Sequence, residues 1–561
     1  MSQPAVMQAP VIPTTQRKGH PKGLAVLFSA EMWERFTFYG NRALLTLFLV
    51  SALGFSQEDS SIIYGGFLGM GWLTAILGGF VADRYLGNRA CIILGGLTMS
   101  LGQLFMFTSG ILYATNVETA RMIMWAGLGV LILGNGFFKP NISSMVGQLY
   151  PKGDNRLDSA FTIFYMGINL GALLGITICP ILGDVKHFEG AKEIRDITAF
   201  KWGFLAASIA MLVGTVMFYF LKDKYVVSPE GEPVGTKPKK GDSDQAQFSN
   251  KAIAITVVAE IILMAIFYKV IGVNLLYAFI YSTGISLGGL ILSDKSLNSV
   301  ERQRIIVIYI ISFFVIFFWA CFEQAGSSLT FIADQQTDRR LFGWDMPPSL
   351  IQNAQSLTLI ALAIPFSFLW LRLQKMKMDP ISPVKQAIGL GLLAVGYWII
   401  ALQVKDLGNA KLGVIWLFVL YLFHTLGELS VSPIGLSLVS KLAPKRFTSL
   451  LMGVFFLSNA SGYALAGTLG TLLPPTAQTF GKAAEKGIDL PGILNGAVPL
   501  TAQLQAQLKT LQLPSSYPQF AGFTIHNLYE FFMLFVILPG VAAILLFLLS
   551  FFLKKMMHGV R

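Results

Sequence analysis

Seven charged side chains stand inside apolar stretches near the two ends and the middle of this chain. Glu31, Glu34, Arg35 and Arg42 share the run EMWERFTFYGNR, and Lys139 lies in GNGFFKPNIS beside the helix-bending Pro140. Glu323 lies in FFWACFEQAGSSL and Glu428 in HTLGELSVSPIGLS. Wound as a helix from Glu31, the first run puts Glu34 at about 300°, Phe38 at about 340°, Arg42 at about 20°, Arg35 at about 40° and Tyr39 at about 80°. One helix face therefore carries acid, base and aromatic groups together, and such a face cannot meet lipid. The signs are segregated: the cations belong to the first half of the chain, while two of the four acids belong to the second. A cavity between the halves would offer cations on one wall and carboxylates on the other. A substrate bearing both an ammonium and a carboxylate, such as a short peptide, matches that arrangement through charge-assisted hydrogen bonds. Four acids against three bases also leave one carboxylate without a counter-charge, which suits it to carry a proton. Structural ion pairs between helices are the competing account of the same residues.

These groups have to be positioned by membrane-spanning helices. Hydrophobic residues make up 54% of the 561 residues and charged ones 13%, the reverse of a soluble balance. Fourteen apolar stretches are long enough to cross about 30 Å of hydrocarbon, so the expected fold is an all-α integral membrane protein with 14 transmembrane helices. The net charge of +12 follows from topology rather than from nucleic-acid binding. With the amino terminus inside, Lys and Arg fall in cytoplasmic segments roughly twice as often as in external ones. Arg17, Lys18 and Lys22 hold the first span's leading end inside, the start lacks the layout of a cleaved signal, and both termini are expected in the cytoplasm.

The expected organisation is a cytoplasmic tail at 1–22, a six-helix bundle at 23–222, a cytoplasmic linker at 223–250, an extra helix pair at 251–294 and a second six-helix bundle at 295–561. The extra pair contains Glu260, read as a carboxylate near an interface on a membrane-facing hairpin. An external loop at about 475–525 places Leu504, Leu508 and Leu511 at helical spacing, and no function is assigned to it. Cys91, Cys179 and Cys321 have no metal spacing and read as packing residues, so no disulfide, metal or other cofactor is expected.

At these residues the sequence resembles the proton-dependent oligopeptide transporter family, a branch of the major facilitator superfamily. EMWERFTFYG resembles the ExxERFxYY motif, and GGFVADRYLGNR, GNGFFKPNIS, FYMGINLGALLG, FFWACFEQAGSS and GELSVSPIGLS continue the likeness through both halves. The resemblance implies the major facilitator fold, two six-helix bundles plus the added pair of bacterial members. It implies a symporter that imports di- and tripeptides with protons by alternating access, in a bacterial inner membrane, functional as a monomer. Glu31, Glu34, Arg35 and Lys139 would form the proton-linked cluster. Arg42 with Glu323 would gate the external side, and Lys139 with Glu428 would form a second exchangeable pair. Arg35 and Lys139 would hold peptide carboxylates, Glu428 and Asn169 peptide amines, and Tyr39 would supply a hydroxyl. Gln355 and Phe455 would also line the substrate site, along with Arg42 and Glu323. Phe38 stands where the motif has its first tyrosine, Trp72 where many relatives have tyrosine, and Phe455 where they have tryptophan, so side-chain preference is left open. His424 lies one turn before Glu428, and an interhelical hydrogen bond is expected for it.

Other readings explain less. Plant relatives of this family move nitrate and other small anions, but Glu34 and Glu428 favour a zwitterion. No GxSxG or HExxH motif accompanies the acids, which argues against an enzyme. No Walker motif is present, which argues against direct ATP drive.

Overall fold

The computed structural model describes residues 19–151, 156–189, 192–237, 248–408, 410–444 and 447–560. The expected tail through residue 18, with Arg17 and Lys18, and residues 238–247 of the expected linker lie outside the described residues. The first ten helices in chain order are α1 (Lys22–Ser51), α2 (Gln57–Val81), α3 (Asn88–Leu112), α4 (Val117–Gln148), α5 (Leu157–Gly183), α6 (Phe200–Tyr225), α7 (Asn250–Ile266), α8 (Leu275–Leu292), α9 (Ser299–Phe322) and α10 (Ser328–Gln335). They are followed by α11 (Asn353–Lys375), α12 (Ser382–Val404), α13 (Val414–Leu442), α14 (Thr448–Gly470), α15 (Ala477–Glu485), α16 (Leu490–Leu494), α17 (Ala502–Leu511) and α18 (Leu528–Met556).

In hydrocarbon every backbone polar group must be bonded within its own segment, so apolar stretches of this length become helices. Polar residues mark where they start. Ser56, Asn116, Asn298 and Asn527 each accept a backbone N–H of the helix that follows, and Asn298 forms a reciprocal cap with Glu301. Among the described residues, 13 helical segments are long and apolar enough to cross a membrane. Besides the short α15, α16 and α17, the helix outside that set is α1, which has the length at 30 residues but carries Glu31, Glu34, Arg35 and Arg42.

α1 packs on α5 and α6, α3 on α4 and α6, and α2 on α4. In the second group α12 packs on α13 and α18, α9 on α14 and α18, and α11 on α13. The groups meet where α2 crosses α14 and where α5 meets α11. α7 has no buried residue and packs on α8, which in turn rests on α14. Glu260 of α7 accepts hydrogen bonds from Ser282 (2.6 Å), Thr283 (3.0 Å) and Ser286 (2.5 Å) of α8, so its carboxylate is used inside the hairpin.

Two segments are more structured than the sequence suggests. The apolar stretch through Glu323 breaks into α9 and α10 around a tight turn at Glu323–Gly326. A Cβ on Gly326 would lie 2.0 Å from the Tyr64 hydroxyl, so glycine is needed for that side chain to reach the turn. The 475–525 segment folds into α15, α16 and α17 over a core of Ala483, Ile488, Leu490, Ile493, Leu508 and Leu513. It rests on the membrane bundle through Thr476 to Gln335 (3.1 Å) and through Gln512 to the Gly54 carbonyl.

Candidate functional site

The helical face read from EMWERFTFYGNR is buried as a unit: Glu31, Glu34, Arg35 and Arg42 are each at most 3% exposed. Arg35 Nε lies 3.0 Å from Glu31 Oε1 and also pairs with Glu34. Two carboxylates thus share one guanidinium, which in addition lies over the Phe38 ring at 5.4 Å. Phe38 supplies a π face where the family motif has a phenol.

Two turns along α1, Arg42 crosses to the second helix group. Its Nη2 lies 2.9 Å from Glu323 Oε2, its Nε donates to the Tyr64 hydroxyl at 2.8 Å, and Tyr64 donates to Glu323 Oε2 at 2.9 Å. This closed triangle of α1, α2 and the α9–α10 turn brings together the pair expected from sequence. It adds Tyr64, which sequence reasoning missed. A fully buried tyrosine hydroxyl needs a partner, and that was the available signal.

The other expected pair is not formed. Lys139 Nζ lies 3.2 Å from the centroid of the Trp72 ring, and Glu428 accepts from Gln355 Nε2 at 3.2 Å. The ammonium is engaged by an aromatic face and the carboxylate by an amide, so the two charges remain separate. Tyr39, Lys139, Gln355 and Glu428 are half-buried, between the buried charges of α1 and the second helix group. Asn169 turns its amide back to the Tyr165 carbonyl of its own helix at 2.8 Å. Phe455 is buried against Gly435 of α13. His424 departs from expectation: among the described residues neither ring nitrogen has a hydrogen-bond partner. Its ring is instead packed among Phe322, Tyr397 and Tyr421, with centroids 5.3–5.6 Å away.

On the face that carries α15–α17 the groups are also joined by an ion network that the sequence did not suggest. The hairpin between α5 and α6 (Lys186–Glu189 and Lys192–Arg195) reaches α10 and the turn after it. Lys186 and Arg195 bond Asp334 at 2.6 and 2.8 Å, and Arg195 also bonds Asp184 at 2.9 Å. Arg339 grips both oxygens of Glu193 at 2.6 Å. Burial would raise the Glu193 carboxyl, but bonds from Arg339 and Lys186 outweigh it and hold it below its ordinary range. Below this network α2 and α14 touch backbone to backbone. A Cβ on Gly65 would lie 2.6 Å from the Tyr463 carbonyl, and one on Gly467 would lie 2.8 Å from the Ser61 carbonyl.

The arrangement can clamp one end of the inter-group space shut with charge and close packing. It leaves an ammonium and a carboxylate on opposite groups near mid-length. Comparison with known proteins places this geometry. The profile of the POT family matches residues 89–485. The chain is 33% identical to the peptide transporter YePEPT of Yersinia enterocolitica subsp. palearctica, over 81% of this chain and 88% of that one. It is 30% identical to the di-/tripeptide transporter of Lactococcus lactis subsp. cremoris, over 80% of this chain and 88% of that one. A crystal structure of a POT family transporter in complex with 5-aminolevulinic acid superposes with a TM-score of 0.70 at 27% identity, covering 97% of this chain and 99% of that one. With two helix groups, a buried ERF cluster on α1 and relatives of this extent, the chain belongs to the POT family of transporters.

Proposed function

We propose that this chain is a proton-coupled symporter that imports di- and tripeptides across a bacterial inner membrane by alternating access. The observation that carries the reading is the segregation of charge across the helix groups. Arg35 and Lys139 stand on the first group and Glu428 on the second, while Arg42 and Glu323 seal the space at one end. A peptide carboxylate would be taken by Arg35 and Lys139. Its ammonium would be taken by Glu428, with Tyr39, Asn169, Gln355 and Phe455 completing the pocket. Lys139 and Glu428 would exchange partners as the cycle proceeds, leaving Trp72 and Gln355 for one another or for the substrate. Relatives named as peptide and di-/tripeptide transporters support the substrate class.

Coupling is assigned to the Glu31–Glu34–Arg35 cluster. With Glu34 unprotonated, Arg35 is held by two carboxylates. A proton on Glu34 weakens that hold and releases the guanidinium towards a substrate carboxylate, so proton and peptide favour one another. We read α1 as a fourteenth span, both termini as cytoplasmic and the α15–α17 face as external. A single chain carries both walls of the site, so a monomer suffices.

Uptake of labelled dialanine into proteoliposomes tests the reading. An imposed inward proton gradient should drive accumulation above equilibrium, with unlabelled dipeptide competing and nitrate not. Uptake indifferent to the gradient, or competed by nitrate, would refute it.

A further inference from the structure

Beside the charged face, one to two turns further along α1, the helices α1, α3 and α4 bring three carboxamides together at one enclosed point. Asn41 is 1% exposed, Gln103 is fully buried and Asn135 is 5% exposed. Among the described residues, both amide atoms of Asn41, both of Gln103 and the Oδ1 of Asn135 have no partner, while Asn135 Nδ2 donates to the Gly71 carbonyl at 3.1 Å. All three residues line one cavity of about 10 Å³, walled otherwise by apolar groups that include Phe38 and Phe67. An unpaired buried amide atom costs about 1–3 kcal/mol, so five of them around one cavity call for a common ligand.

We propose that Asn41, Gln103 and Asn135 build an internal water-binding site within the first helix group. The volume suits it, since a water needs roughly 10–15 Å³ and two to four polar partners. The donor set also selects water over a metal cation. Two of the amides present unpaired N–H groups as well as oxygens, and the lining holds no carboxylate, so a bare cation would face donors it cannot satisfy. The walls resist collapse. A Cβ on Gly78 would lie 1.9 Å from the Gly136 carbonyl and one on Gly95 would lie 2.7 Å from the Gly134 carbonyl, so α2 and α3 are both seated tightly on α4. Asn41 follows Glu34 by seven residues, about 20° round α1 and about 10 Å along it. The bound water therefore ties the helix that carries the charged cluster to the α3–α4 scaffold.

The test has three arms on the full-length protein. An experimental structure at a resolution that shows ordered solvent should contain a density peak within about 2.7–3.2 Å of amide atoms from at least two of the three residues. Amides turned onto one another with no peak between them would overturn the proposal. In detergent, Asn41→Leu and Gln103→Leu should each lower the melting temperature, and the double variant should lose less than the sum, because both act through one ligand. Single variants that raise the melting temperature additively would mean orphaned amides beside an apolar void, and would overturn it. Should Gln103→Leu fail to fold, Asn41→Ser with Gln103→Ala serves the same cycle. Replacing choline chloride by sodium chloride should leave the wild-type melting temperature unchanged, and stabilisation by sodium would replace water with a cation as the ligand.

Discussion

Asp334 is the point at which the ion network on the α15–α17 face is most open to attack by a single change. It belongs to α10, whereas its partners Lys186 and Arg195 belong to the hairpin between α5 and α6, so the bonds at 2.6 and 2.8 Å cross between the helix groups. Asp334→Asn keeps the side-chain volume and removes the charge. Breaking a buried pair costs about 3–5 kcal/mol and an exposed one about 0–1 kcal/mol. The Asp334 side chain is 12% exposed, and Asp184 and Glu193 still neutralise the two cations, so the loss should be about 1–3 kcal/mol. Because these bonds cross between the groups, parting the groups on this face would break them, so the loss should fall on the closed state and shift the balance towards opening by about 5- to 150-fold. Spin labels on cysteines introduced at Thr115 and Lys411, both exposed on external turns of opposite groups, would report it by double electron–electron resonance. The three native cysteines are buried. The variant should gain a longer distance component. An unchanged distance distribution in well-folded protein would refute the reasoning and reduce the network to a local staple of the hairpin.

Glu193 predicts the response of the same face to acid. Its carboxyl is held low when it is gripped by Arg339 and Lys186, so this contribution to closure is fully present above the ordinary carboxylate range and is lost as pH falls through the depressed value. The spin-label distances should lengthen as pH falls below the ordinary carboxylate range, and Glu193→Gln should remove that acid-dependent part. Glu34→Gln should abolish accumulation of dialanine under a proton gradient and preserve exchange of labelled for unlabelled peptide at equal pH, while persistence of gradient-driven accumulation would move the coupling role to Glu31. Gly467→Ala puts a methyl 2.8 Å from the Ser61 carbonyl and 2.1 Å from the Tyr277 hydroxyl. It should hold α2 and α14 apart and cut transport at least tenfold in proteoliposomes at matched protein amount, and near-normal uptake would show that the contact is dispensable.

The sequence was legible where burial made a residue type expensive. Glu31, Glu34, Arg35 and Arg42 announce themselves because charge in an apolar helix needs a reason, and the 100° repeat predicts their common face. The Arg42–Glu323 pair follows from the same logic. Tyr64 was harder to find, because a phenol is at home in an apolar span and only its lost hydroxyl solvation hints at a partner. The separation of Lys139 from Glu428 was invisible for another reason. Composition records that two charges are available, not which of several partners each takes in a given conformation, and Trp72 and Gln355 are partners of low cost. Asp184, Lys186, Glu193 and Arg195 lie in a polar connection between two apolar stretches, where nothing in the sequence separates them from solvated loop charges. Only the return of the hairpin onto α10 makes them structural. The break between α9 and α10 hid in a continuous apolar run whose one marker was Gly326, and His424 was given a hydrogen bond where the fold offers only rings.

The two kinds of closure on the external face divide the work by their thermodynamics. A buried ion pair gains little over an apolar pair of the same shape, because desolvation cancels most of the Coulombic attraction. Arg42 and Glu323 are therefore weak candidates for the force that shuts this face, and when it opens water can rehydrate both. The apolar contact of α2 with α14, with backbones brought together at Gly65 and Gly467, removes area from solvent in the closed state and supplies a drive that does not depend on charge. What the ion pair adds is a condition. If a substrate ammonium occupies Glu323, closure would bury Arg42 against neutral groups such as the Tyr64 hydroxyl and the Tyr39 ring, at a cost of several kcal/mol. The packing thus favours closure, and under the proposed function Arg42 with Glu323 would make it depend on whether Glu323 is free to take the guanidinium.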